Sequence, residues 1–109
     1  MNFFVDTANL EQIDEINRYG ILDGVTTNPS LMAKEGIKGN DAVMAHYKTI
    51  SDMVDGPVSA EVIATDFDGI VKEGEMLAAI NDNIVVKVPM IKEGIKAIKH
   101  FAEQGIDKN

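Results

Sequence analysis

Short apolar runs alternate along the chain with longer segments whose apolar residues recur every three or four positions, the periods expected of strands and of helices. The first strand is expected over residues 2–6. A helix follows, with Asn9 and Gln12 at capping-box spacing and Leu10, Ile13 and Ile16 forming one apolar stripe, and Gly20 ends it. A second strand over 21–26 runs into TTNPS, where Pro29 suits the first turn of a short helix; a longer helix then carries Val43, Tyr47, Ile50 and Val54. Asp55-Gly56-Pro57 is its stop signal. The third strand, 58–63, leads to a helix capped by Thr65 or Asp66 and striped by Ile70, Leu77 and Ile80, which Asn81-Asp82-Asn83 breaks. The fourth strand, 84–88, precedes a helix bearing Ile91, Ile95, Ile98 and Phe101, with Gly105 as its stop.

Strands separated by helical segments specify a parallel sheet, because parallel neighbours need a crossover connection and that crossover is right-handed. The chain is therefore expected to be an α/β protein forming one unit over residues 1–109. Periodicity alone leaves open whether the sheet is doubly wound or part of a (β/α)₈ barrel.

Composition narrows the partners. With 109 residues, 45% of them apolar and 26% charged, the chain fits a soluble domain with a single core. A net charge of −8 and scattered basic residues argue against nucleic acid as a partner. The absence of Cys removes disulfides and thiolate metal sites, and MNFFVDTANL has neither the basic region nor the apolar length of a signal peptide or membrane helix. A cytoplasmic location without membrane partners is expected.

Lys87 changes the picture most. IVVKVP places an ammonium inside an otherwise apolar strand, where buried parallel strands show continuous Val, Ile and Leu. With side chains alternating, Val85 and Lys87 share one face and Val86 and Val88 the other. Desolvation disfavours the ammonium and so supplies the neutral amine that attacks a ketone at neutral pH. An edge-strand lysine that blocks strand-to-strand association explains the same pattern more plainly.

Two carboxylates belong with it. Asp6 closes the first strand, and Glu61 lies within the third on the face of Ser59 and Ile63. If the strands align, both reach the carboxyl end of the sheet together with Lys87, where α/β folds bind ligands. A carboxylate beside a neutral amine serves as general base or shuttles protons during condensation with a carbonyl. A helix N-terminus partner for Asp6 and a solvated strand end for Glu61 are the structural alternatives. Thr26, Thr27, Asn28 and Ser30 sit where a strand enters a helix and offer hydroxyls and an amide to a polyhydroxylated substrate; capping is the alternative, chiefly for Ser30 and Thr27. TDFDG at 65–69 lacks the third acidic or amide position and the distal Glu of a calcium loop, and is read as a helix start. His46 and His100 have no partner pattern and are expected on solvated helix faces.

Taken together, FVDTAN, GVTTNPS, SAEVIATD and IVVKVPM followed by EGIKAI resemble the small-subunit transaldolases and the related fructose-6-phosphate aldolases. The resemblance spans the whole chain, and the order and spacing of TTNPS and VVKVP are its most specific part. It implies the first four βα units of a (β/α)₈ barrel, that is, a half barrel. By the same resemblance Lys87 is the Schiff-base lysine, Asp6 takes the proton from the C4 hydroxyl, Asn28 binds the sugar, and Glu61 is the proton-transfer carboxylate. The implied partners are sugar phosphates such as fructose 6-phosphate and an aldose phosphate. No metal or organic cofactor is implied, because the lysine itself supplies the electron sink. The aldolase relatives usually carry Gln at the position of Glu61, which favours transfer of a dihydroxyacetone unit over simple cleavage. Family members continue past GIDKN with a fifth strand and later residues that hold water, substrate and phosphate, so the 109 residues alone are expected to be weakly active or inactive.

A phosphoacceptor-like α/β domain is a competing interpretation. It requires an acidic pair after the first strand and an Asp ending the third, whereas Asp6 is followed by Thr7-Ala8 and the third strand runs into Ala64-Thr65. A non-catalytic half-barrel fragment is another. Half a barrel leaves two parallel strand edges unpaired and an inner face carrying Val85 and Ile63 uncovered, so a homo-oligomer is expected.

Overall fold

Apolar residues at alternate positions of each short run give every strand one face that only a helix layer can cover. The computed structural model describes residues 3–106. Its elements are β1 (Phe4–Asp6), α1 (Leu10–Arg18), β2 (Gly24–Thr26), α2 (Pro29–Lys34), α3 (Asn40–Met53), β3 (Val58–Glu61), α4 (Phe67–Ala78), β4 (Ile84–Lys87) and α5 (Lys92–Gln104). The strands form one parallel sheet in the order β1-β2-β3-β4. Val25, Val58, Ala60, Val62, Val86 and Val88 are buried in a single core with Ile13, Ile50, Ile70 and Phe101 of the helices. On the opposite face Phe4, Asp6 and Lys87 are exposed and Glu61 and Val85 half-buried.

That asymmetry resolves the choice left open by periodicity. A doubly wound sheet carries helices on both faces and reverses its strand order at a switch point. Here the order is sequential and the layer of helices covers one face only, which is a half barrel. No helix among the described residues is long and apolar enough to cross a membrane.

Most expected elements are present with shortened ends. The strands occupy 4–6, 24–26, 58–61 and 84–87 rather than the longer runs read from hydrophobicity; of the first, Asn2 lies outside the described residues. Asp66 caps α4 by accepting from the Gly69 amide at 3.0 Å, and Thr65 does not. Gly105 ends α5 in the left-handed conformation, φ 75°. The capping box of α1 is rewired: Asn9 accepts from the Gln12 amide, but the Asn9 amide donates to the Thr7 hydroxyl, which in turn donates to the Gln12 side chain.

Three expectations need correction. Asn28, not Thr27 or Ser30, caps α2, because its Oδ1 accepts from the Leu31 amide at 2.9 Å. The stripe of α5 runs through Gly94, Ala97 and Phe101, while Ile91 and Ile95 are exposed. Small residues let the helix come close: a Cβ on Gly94 would lie 1.9 Å from the Pro89 carbonyl oxygen. His46 is buried rather than solvated, with Nε2 2.6 Å from the Ala8 carbonyl oxygen. His100 is half-exposed, edge-on to Phe67 and 3.8 Å from a Glu75 carboxylate oxygen.

Candidate active site

In a parallel sheet, residues in register point to the same face, so polar residues that end successive strands converge. Asp6 pairs with Thr26, Thr26 with Ser59, and Ser59 with Val85. Two residues further on, Glu61 pairs directly with Lys87. Asp6, Thr26, Ser59, Glu61 and Lys87 therefore share the uncovered face at its carboxyl end. With Thr27 and Asn28 they line one cleft of about 150 Å³. Every candidate site residue named from the sequence, except Ser30, is among these; Ser30 lines an adjoining depression with Asn28, Glu61 and Pro89. Ser59 is an addition. Its signal was the period of two that sets it beside Glu61.

The carboxylates are held differently. The Thr26 hydroxyl donates to Asp6 Oδ1 at 3.0 Å, which turns the β1 carboxylate toward β2. Glu61 is fixed through its backbone: its amide donates to the buried Tyr47 hydroxyl at 3.2 Å. Glu73 of α4 accepts from the Ile63 and Ala64 amides at 2.9 and 3.1 Å, clamping the loop that leaves β3. Burial pushes the Tyr47 phenol above its ordinary value of 10.0, and the nearby Glu61 and Glu73 carboxylates add to that; the hydrogen bond from the Glu61 backbone opposes it. Neither Tyr47 nor Glu73 was singled out for chemistry. The need of a buried phenol for a polar partner was the available signal for Tyr47.

Two polar groups at this end have no partner among the described residues. Because Asn28 Oδ1 is committed to the helix cap, the other end of its amide is the donor that remains at the cleft. The Thr27 hydroxyl is buried without a hydrogen-bond partner among the described residues. An unpartnered buried hydroxyl costs roughly 1–3 kcal/mol unless a ligand or water satisfies it. The expected burial of Lys87 is corrected by the structure. Its side chain is exposed because nothing among the described residues covers the inner face, and no carboxylate lies within ion-pair distance of it among them. The plainer edge-strand explanation also keeps its geometric basis, since β4 is an edge of the sheet.

Comparison with known proteins bears on that choice. The model of the transaldolase/fructose-6-phosphate aldolase family matches residues 3–109. Over 109 residues the chain is 68% identical to a probable transaldolase of Cytophaga hutchinsonii, 65% to one of Porphyromonas gingivalis and 64% to one of Parabacteroides distasonis. Each alignment covers 100% of this chain and 50% of the relative, so the chain spans about half the length of the curated relatives it matches. With four parallel βα units, a lysine and carboxylates at their carboxyl end, and a family match over nearly all its residues, the chain belongs to the transaldolase/fructose-6-phosphate aldolase family.

Proposed function

We propose that residues 1–109 form the amino-terminal half of a transaldolase-type barrel and carry its Schiff-base chemistry, with Lys87 as nucleophile, Asp6 and Glu61 as proton-transfer groups, and Asn28, Thr26 and Thr27 as substrate contacts. The convergence of Asp6, Glu61 and Lys87 on one cleft supports this above all. The neutral Lys87 amine attacks the C2 ketone of a ketose phosphate such as fructose 6-phosphate, and loss of water, with Glu61 relaying the proton, gives an iminium. The iminium is the electron sink for the next step. Asp6, oriented by Thr26, takes the C4 hydroxyl proton; the C3–C4 bond breaks, its electron pair enters the iminium system, and an aldose phosphate leaves. The dihydroxyacetone unit stays on Lys87 as an enamine and adds to the aldehyde carbon of an acceptor aldose phosphate. Hydrolysis of the adduct frees the lysine.

Register supports this division of labour between the carboxylates. Glu61 is the direct cross-strand neighbour of Lys87, which suits a role at the carbon that the amine attacks, whereas Asp6 stands across the cleft on β1. Desolvation of Lys87 has to come from whatever covers the inner face. Incubating the protein that carries this chain with fructose 6-phosphate and an aldose phosphate acceptor tests the proposal. A new ketose phosphate without free dihydroxyacetone is expected; free dihydroxyacetone released with no acceptor indicates an aldolase, and neither product contradicts both.

The 109 residues on their own should associate. β1 and β4 each leave one side unpaired among the described residues, and Phe4 and Ile63 are 44% and 63% exposed. Burial of apolar surface at roughly 25 cal/mol per Å² favours covering that face, and pairing β4 of one copy with β1 of another about a two-fold axis closes an eight-stranded ring. Sedimentation of this chain should show a dimer or larger assembly; a stable, compact monomer contradicts the association.

A further inference from the structure

We infer that α3 acts as a strut that sets the separation of the two candidate proton-transfer carboxylates, with the adjacent residues His46 and Tyr47 as positioning residues for Asp6 and Glu61. The inference rests on the proposed role of those carboxylates and adds to it the part of the fold that places them.

His46 and Tyr47 are consecutive on α3, and both are buried, at 9% and 1% exposure. His46 reaches the Ala8 carbonyl oxygen at 2.6 Å, two residues beyond Asp6 in the loop leaving β1. Tyr47 accepts from the amide of Glu61 itself at 3.2 Å. Consecutive helical residues project about 100° apart, so a single turn of α3 reaches both the loop leaving the first strand and the third strand.

The Tyr47 contact fills a gap in the sheet. Along a parallel strand, successive amides point alternately to the two neighbouring strands. Val58 and Val62 donate to Asn83 and Lys87 on the β4 side, so the Glu61 amide points to the β2 side. β2 ends at Thr26, the partner of Ser59, and the chain turns away into α2. The Tyr47 hydroxyl takes the place of the missing strand acceptor, which would otherwise leave a partly buried amide unpaired. The side chain of Glu61 leaves the sheet at this residue, so loss of the hydroxyl frees the residue's backbone and hence the direction of its carboxylate.

The test uses Tyr47→Phe, which keeps the ring and removes the acceptor, and the pair His46→Leu and His46→Gln, of which only Gln retains an N–H donor. All are measured in the protein that carries this chain, at a temperature where each is folded. Displacement of a catalytic group by about 1 Å costs on the order of 100-fold in rate. Tyr47→Phe is expected to speed hydrogen exchange at the Glu61 amide and to lower kcat roughly 10- to 100-fold with little change in KM. His46→Leu is expected to lower kcat similarly, and His46→Gln to recover most of it. Lys87 should still form a borohydride-trapped adduct in every variant. Unchanged kcat and unchanged Glu61 exchange overturn the strut, as does a loss that tracks the folded fraction alone and is not recovered by Gln. If the unsubstituted protein itself gives no Lys87 adduct, the Schiff-base assignment falls instead; the strut is then judged by Glu61 exchange and by the Asp6 carboxyl carbon shift, and no change in either overturns it.

Discussion

The two ends of the sheet use polar side chains differently. At the amino end Asn83 donates to the carbonyls of Ser51, Val54 and Gly56 at 3.0, 3.1 and 3.1 Å, and Asn17 donates to the Met53 carbonyl at 2.9 Å. Asn81 adds bonds to Ser51 and Asp52. These amides satisfy the last carbonyls of α3 and the turn that follows, which a helix end leaves unpaired. At the carboxyl end the Thr27 hydroxyl and the Asn28 amide nitrogen have no hydrogen-bond partner among the described residues, and Lys87 projects from the sheet. Among the described residues the amino end also has a buried atom without a partner, Asn83 Oδ1, but it belongs to a side chain already holding three carbonyls. The lesson is that one end uses its amides to hold strands and helices together, whereas the other combines such holds, by Asn28, Tyr47 and Glu73, with polar groups that have no partner among the described residues. Barrel enzymes place their chemistry at the carboxyl end.

Substitutions at the two ends should therefore separate stability from activity. The largest effect is expected from Lys87→Met, which removes the proposed nucleophile: transfer activity of the protein that carries this chain should fall to background, while the stability of the 109 residues on their own changes by no more than about 0.5 kcal/mol because the side chain is exposed there. A parallel loss of stability and activity would blur the distinction. Next, Asn83→Ala strips the donor from three carbonyls and should cost about 2–3 kcal/mol in denaturant unfolding, with activity retained wherever the protein stays folded. Less change is expected from Glu61→Gln, which should raise the share of free dihydroxyacetone relative to transfer product; unchanged partition would remove the reason for preferring transferase over aldolase.

The smallest effect concerns alkaline pH. The Tyr47 phenol titrates higher folded than unfolded, so above the ordinary value of 10.0 the unfolded chain gives up its proton first. The stabilisation is complete below that value and is lost as pH rises through the folded value. Unfolding measured across that range should show a downward slope that Tyr47→Phe lacks; identical slopes would place the phenol in water.

Much of this was legible in the sequence because it rests on local chemistry. Asn9 and Asp66 cap the helices that follow them, Pro29 begins a helix, and the period of two set Glu61 and Lys87 on one face. Closure was not legible. Hydrophobic period says which face is buried but not whether helices lie on one side of the sheet or both. The burial of His46 depends on a carbonyl 38 positions away, and the Glu73 clamp on amides 9 and 10 positions away, beyond any local pattern. In α5 the close approach is made by Gly94 and Ala97, which an apolar stripe counts as weak, so Ile95 was placed inside although it is exposed. Lys87 was expected to be desolvated by its strand, yet desolvation of an inner-face residue requires a layer that the strand itself does not supply.

The most direct test of the account is borohydride reduction of the protein that carries this chain in the presence of fructose 6-phosphate or dihydroxyacetone, followed by peptide mapping. A single adduct on Lys87, lost in Lys87→Met, is the predicted result. An adduct on Lys92 or Lys96, or none at all, would contradict the assignment of Lys87 as the Schiff-base lysine.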